Sequence, residues 1–259
     1  MADRLAIVKF GGGLIAPKDE QHVINYDILN KLSKQVAQFD GKIIVIHGAG
    51  SFGHTYALNY NLQKGFSNPS QYEGLIKTHQ SMERLNYEVV ESLIEAGRKA
   101  ISIQTSAITI TENKRIKTMF LEPIQHAIDQ GLTPVLYGDV VFDLSMRFCI
   151  LSGDQILAYL SEKFNPEIAV FAADVDGVFD ANPKENPNAK LISKILKDSA
   201  EETIKGLKKT KDATGGIVTK VIEAAQIRNR TKFIIGNGKK DGWLIAALKG
   251  ENVRGTYIY

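Results

Sequence analysis

The sequence predicts an α/β fold with a largely parallel sheet covered on both faces. Short, apolar, β-branched runs recur along the chain and read as fully buried strands. Segments with helical spacing lie between several of them, the alternation that builds parallel sheets. Glycine-rich or acidic turns follow four of the runs, at the carboxyl ends where open α/β sheets collect ligands.

The first strand is "RLAIVKF" (4–10), followed by the turn "GGG" (11–13). Ile28, Leu32, Val36 and Phe39 then recur at helical spacing. The second strand, "KIIVIH" (42–47), runs into "GAGSFG" (48–53), a literal G-x-G-x-x-G. Leu85, Val89, Val90, Leu93 and Ile94 mark a long helix, and the apolar residues of the segment 74–93 read as core. "AISIQ" (100–104) is the third strand and "TPVLYGD" (133–139) the fourth, ending in the turn Gly138–Asp139. "SGD" (152–154) opens a helix, where Ser152 or Asp154 is placed to cap it. "IAVFAADV" (168–175) is the fifth strand, leading into "DVDG" (174–177), and "TKFIIGN" (231–237) the sixth. Between these two, "DATGGIVTK" sets Asp212 or Thr214 at a helix start, with Lys220 just over one turn in and Val221, Ile222 and Ala225 facing inward. The loosest stretches are 64–74 and 180–190, rich in Asn-Pro pairs and glycine. A lobe boundary is expected near 155–165.

Composition narrows the function. The 32 Lys and Arg against 29 Asp and Glu leave a net charge of only +3, interspersed along the chain, which gives little support to a nucleic-acid groove. Cys149 is the one cysteine, so an internal disulfide and a multi-cysteine zinc site are excluded; it reads as a small core residue. The apolar run in "MADRLAIVKFGGG" is too short for a signal peptide, and no stretch approaches ~18 apolar residues, so a cytoplasmic protein without membrane contact is expected.

"GAGSFG" raises the possibility of dinucleotide binding. A dinucleotide unit needs a helix directly after the glycines, then a strand ending in Asp or Glu about 20 residues on. After Gly53 stands "HTYALNYNLQKGFSNPSQYEG", polar, aromatic and interrupted by Gly65 and Pro69, and the next strand begins only at Ala100. Glu73 has the right count but sits in a turn before a long helix. The physical content of the motif survives: glycines let backbone N–H groups approach an anion. Two such cradles, "KFGGG" and "GAGSFG", suit a transfer between two phosphate-bearing substrates.

The motifs "KFGGGLIAPK", "HGAGSFGH", "YGDVV", "SGDQIL", "DVDGVFDANP", "DATGGIVTK" and "VRGTYI" occur in the order found in the amino acid kinase superfamily. The chain resembles most closely its isopentenyl phosphate kinase branch, over essentially its whole length from Lys9 to Ile258. "HGAGSFGH", ending in His54, is the most specific piece, because carboxylate-phosphorylating branches lack that histidine. The resemblance implies a three-layer αβα sandwich with a central, mainly parallel sheet over residues 1–259, with 1–155 holding the phosphoryl acceptor and 156–259 holding ATP. It implies phosphorylation of isopentenyl phosphate to the diphosphate in isoprenoid biosynthesis, with ATP and Mg2+ and no protein-held metal site, by a cytoplasmic homodimer.

It also implies roles for residues that are ambiguous on their own. Lys9, otherwise a strand-edge lysine, would reach the transferred phosphoryl group, with Gly11, Gly12, Gly13 and Gly50 lining the phosphates. Lys18, by itself an ordinary loop lysine, would stabilise the transition state. His54, otherwise a histidine at a helix start, would donate a hydrogen bond to the acceptor phosphate, helped by Ala49, Gly53 and Gly153. Asp174, Gly216 and Lys220 would face ATP, and Asp176 with Gly177 would shape the same loop. Lys208, Lys209 and Lys211 read as a solvated basic loop near the triphosphate. The chain departs from the family loop at Gly13, usually Ser, and Ala16, commonly Thr, so two hydroxyl contacts to phosphate are missing. The rival readings are a phosphonate kinase of the fosfomycin type, a nucleotide-binding sensor without turnover and, from the glycine pattern alone, an oxidoreductase.

Overall fold

The computed structural model describes residues 4–17, 20, 22–181, 183, 185–209 and 215–259. Its strands are β1 (Leu5–Phe10), β2 (Lys42–His47), β3 (Ala100–Ser102), β4 (Thr109–Glu112), β5 (Arg115–Met119), β6 (Thr133–Tyr137), β7 (Asp139–Asp143), β8 (Arg147–Leu151), β9 (Ile168–Ala173), β10 (Lys194–Ile195), β11 (Lys232–Asn237) and β12 (Thr256–Ile258). The helices are α1 (Gly12–Ile15), α2 (Tyr26–Ala37), α3 (Gly50–Asn59), α4 (Gln71–Glu95), α5 (Thr105–Ile108), α6 (Glu122–Asp129), α7 (Gly153–Phe164), α8 (Ala200–Lys209), α9 (Gly215–Ala225) and α10 (Trp243–Lys249).

The main sheet has eight strands in the order β10-β12-β11-β9-β1-β2-β6-β3. Every pairing is parallel except β11 with β12. Side-chain alternation along its buried strands divides the interior into two cores. Ala6, Val8 and Phe10 of β1 join Ile43 and Val45 of β2 on one face, covered by α2, α4 and α10 through Leu32, Leu85 and Leu244. Ile7, Ile44, Ile46 and Phe171 point to the other face, under α6, α7 and α9 through Ile124, Leu157 and Val221. These are the three layers expected, and the near-continuous apolar runs exist because the sheet is buried on both sides.

Three local expectations are corrected. "AISIQ" is strand only over Ala100–Ser102, because α5 begins at Thr105. The stretch 109–151 holds a second, four-stranded sheet, β5-β4-β7-β8, and Asp139 starts β7 instead of closing a turn. Its strands went unrecognised because they are short and charged, and β5 is largely exposed. A helix does follow the second glycine loop directly: α3 starts at Gly50, inside the motif. The dinucleotide reading still fails, since α3 is followed by the long α4 and not by a strand. Among the described residues no helix is long and apolar enough to cross a membrane.

Candidate active site

Parallel strands bring their carboxyl ends to one rim, and backbone hydrogen bonds lace that rim together. Gly11 N–H donates to Ala172 O at 2.8 Å, Gly48 N–H to Phe10 O at 2.9 Å, Gly138 N–H to His47 O at 3.1 Å and Gly238 N–H to Ala173 O at 2.9 Å. The two glycine loops touch backbone to backbone: a Cβ on Gly12 would lie 2.2 Å from Gly50 N. Gly50 itself has φ +50°, and a Cβ there would meet Ala16 O at 2.2 Å, so only glycine fits. Neither Ala49 nor any other side chain caps α3, whereas the Ser152 hydroxyl caps α7 by accepting from Gln155 N–H at 3.2 Å.

Above the rim lies a cleft of about 1110 Å³. Its wall includes every predicted site residue except Lys18: Lys9, Gly11, Gly12, Gly13, Ala49, Gly50, Gly53, His54, Gly153, Asp174, Gly216 and Lys220. Lys18, Lys211, Asp212 and Thr214 lie outside the described residues, as do the side chains of Lys208 and Lys209.

Lys9 is no strand-edge lysine. It sits on the central strand, in register with Ile46 on one side and Phe171 on the other, and is 6 % exposed. Lys220, on α9, is equally withdrawn from solvent at 8 %. What holds two buried ammonium groups at one place is Asp154, in the first turn of α7. Its Oδ1 is 2.7 Å from Lys9 Nζ and its Oδ2 3.3 Å from Lys220 Nζ. Lys220 also donates to Gly216 O at 3.1 Å. Burial pushes the Asp154 carboxyl up, but the two lysines outweigh it and hold it below the ordinary carboxylate range. Burial, with the Lys9 charge adding to it, brings Lys220 down to about 8. Sequence reasoning placed Asp154 only as a possible helix cap. An acid in a helix's first turn is favoured by the dipole, and nothing local shows that it faces two lysines from distant segments.

The two histidines bracketing "GAGSFG" have different environments. His54 is exposed on α3 and faces the cleft. His47 ends β2 fully buried, donating from Nδ1 to Gly48 O at 3.1 Å and accepting at Nε2 from Asn86 at 3.2 Å. Burial, reinforced by the Lys9 charge, lowers His47 to about 4, so it stays neutral.

One side of the cleft is apolar. Ala57 on α3, Met82 on α4 and Ile150 on β8 line it, with Thr78. A Cβ on Gly53 would lie 3.1 Å from Met82 Sδ, so the His54 turn abuts this wall. On the opposite side, Asp176 accepts from Arg254 Nε at 2.7 Å, Lys240 Nζ at 2.9 Å and Asn237 Nδ2 at 3.0 Å. This ties together the turns after β9 and β11 and the segment entering β12. Burial raises the Asp176 carboxyl, and these three donors bring it down to about 2.

The family model for the amino acid kinase family matches residues 4–237. The chain belongs to the amino acid kinase family. Within that family it is 34 % identical to the isopentenyl phosphate kinase of Methanothermobacter thermautotrophicus, over 98 % of each chain. A solved structure described as isopentenyl phosphate kinase superposes with TM-score 0.82 at 30 % identity, covering 99 % of this chain and 100 % of that one. A second, an isopentenyl phosphate kinase substrate complex, gives TM-score 0.79 at 28 % identity over 98 % of this chain and 100 % of that one. In this amino acid kinase the strand ends and the glycine loops form the rim, and Asp154 holds two lysines within it.

Proposed function

We propose that the protein transfers the γ-phosphoryl group of ATP to isopentenyl phosphate, giving ADP and isopentenyl diphosphate. One observation carries the reading: a single cleft joins a buried pair of lysines to an apolar wall, with His54 at the turn between them. Phosphoryl transfer asks the protein chiefly for positioning and neutralisation of charge. A short hydrocarbon tail with a phosphate head matches the apolar wall and the adjacent donors. The similarity to isopentenyl phosphate kinases over almost the whole chain supports the same acceptor.

In this reading the halves divide the work, 1–155 binding the acceptor and 156–259 binding ATP. Ala49, Gly53 and Gly153 surround the acceptor phosphate, to which His54 donates a hydrogen bond. Gly11, Gly12, Gly13 and Gly50 offer backbone to the phosphates, and Gly216, Lys220 and Asp174 face ATP. Lys9 sits where the two phosphates meet. Lys18 is assigned to the transition state on the family resemblance.

An acceptor phosphate oxygen attacks Pγ in line; the new O–Pγ bond forms as the bond from Pγ to the β,γ-bridging oxygen breaks and ADP departs. A phosphate monoester with a second pKa of about 6 is already largely a dianion at pH 7, so the nucleophile needs no base. His54 therefore serves as a donor, and buried, neutral His47 is not required to accept a proton. Lys9 and Lys220 offset the charge gathering on the transferred group.

Among the described residues no three His, Cys, Asp or Glu side chains cluster as a metal site. A Mg2+ ion brought by ATP would be held mainly by nucleotide phosphates and water, and Asp174, a carboxylate on the cleft wall, would face it. When bound, the ion neutralises β- and γ-phosphate oxygens. A cytoplasmic homodimer completes the proposal, and sedimentation of the purified protein checks the dimer.

The test is a coupled ADP-release assay across isopentenyl phosphate, dimethylallyl phosphate, geranyl phosphate, fosfomycin, acetylglutamate and UMP. Saturable turnover with isopentenyl phosphate is expected. Saturation only with a non-isoprenoid acceptor would overturn the assignment.

A further inference from the structure

We infer that the β4–β5 hairpin positions Lys220, acting through an ion pair between the half-exposed Arg115 and the buried Glu223. The inference rests on the reading of Lys220 as an ATP-facing residue. Arg115 Nη1 donates to Glu223 Oε1 at 2.6 Å, and Nη2 to Glu223 Oε2 at 3.0 Å and Gln226 Oε1 at 3.1 Å. The Glu223 side chain is 6 % exposed, and it stands three residues beyond Lys220 on α9, so any rotation of that helix moves both. A two-pronged guanidinium–carboxylate bond fixes direction as well as distance, which a lysine in the same place does not.

The hairpin is itself held rigid. Its turn residues Asn113 and Lys114 both have positive φ, 50° and 66°. Their N–H groups donate to the Asp143 carboxylate at 3.3 and 2.9 Å. The Gln155 side chain accepts from Ile116 N–H at 2.8 Å and donates to Lys114 O at 3.0 Å, gripping the residues on either side of Arg115. Gln155 is the residue after Asp154. The links close into a ring: the first turn of α7 grips the hairpin, Arg115 grips α9, and Lys220 on α9 returns to Asp154 at 3.3 Å. Arg115 is not part of the cleft lining, so its role is positioning.

The test uses the full-length protein with Arg115→Gln and Arg115→Lys, read by steady-state kinetics for each substrate and by the ATP-induced shift in Tm without acceptor. Arg115→Gln should raise KM for ATP by about tenfold and lower kcat, while KM for the acceptor stays within about twofold. Arg115→Lys, which keeps the charge and loses the fork, should fall between it and wild type. Equal changes in both KM values that follow the loss of Tm would mark a plain structural brace and overturn the inference. So would an unchanged KM for ATP. A wild-type protein without any ATP-induced shift would instead overturn the ATP assignment of Lys220, and the positioning role with it.

Discussion

Asp154→Asn isolates the charge that gathers the two lysines. The amide keeps the shape of the carboxylate and removes its charge, leaving ammonium groups that are 6 % and 8 % exposed facing a neutral partner. Breaking a buried ion pair by removing one member costs about 3–5 kcal/mol. Lys220, already down at about 8, can shed its proton and relieve part of the cost. The expected loss is therefore at the lower end, about 3 kcal/mol, or about 6–12 °C in Tm for a chain of this size. Catalysis should fall further than stability alone explains, by about a hundredfold in kcat, because both lysines lose their fixed aim at once. Thermal unfolding with and without ATP, beside the ADP-release assay, separates the effects: the triphosphate supplies the missing negative charge and should recover part of the lost Tm. An Asp154→Asn protein with wild-type Tm and kcat would refute the reasoning. A fall in Tm with unchanged kcat would reduce Asp154 to a structural residue.

Five more outcomes follow from the same geometry. His54→Ala should raise KM for the acceptor by about tenfold or more and leave ATP binding within about twofold, measured by steady-state kinetics and ATP titration. Lys220, with its folded pKa lowered from 10.5 to about 8, loses its proton above that pH, so kcat/KM for ATP should fall there; bound triphosphate favours the charged lysine, so the corresponding limb in kcat should lie at higher pH. His47 has a folded pKa of about 4 against 6.5. The unfolded chain then binds more protons between those values, and stability should decline by up to about 3 kcal/mol as pH falls from 6.5 to 4, a decline that His47→Gln should flatten in Tm–pH scans. Gly50→Ala, forced into positive φ against Ala16 O, should cost about 3 kcal/mol or more. Gly13→Ser, where an added Cβ meets nothing within 4 Å, should leave Tm within about 2 °C of wild type.

The parts of the fold legible in the sequence were those whose signal is local. β1, β2, β9 and β11 are buried on both faces, so their apolar runs are unbroken and announce themselves. The second sheet was hidden because "TITE" buries its two threonines and "RIKTM" carries charges and is largely exposed, leaving no apolar alternation to recognise. The glycine loops were legible as turns at the strand ends. Their mutual contact was not, since the approach of Gly12 to Gly50 depends on the pairing of β1 beside β2.

The two histidines of "HGAGSFGH" show where local reading stops. Both flank the same glycines, and only the step from strand to helix separates their roles. His47 still belongs to β2, whose neighbours bury it; His54 falls one turn into α3, on the side the cleft leaves open. Asp154 makes the same point for charge. Its environment depends on Lys9, a strand residue far earlier in the chain, and Lys220, on a later helix, and the three meet only when the fold brings the ends of β1 and α7 together. A sheet that sends its strand ends to one rim turns residues that are unremarkable singly into one electrostatic unit. For that reason the carboxylate that gathers both lysines is the one whose own neighbourhood in sequence explains it as a cap.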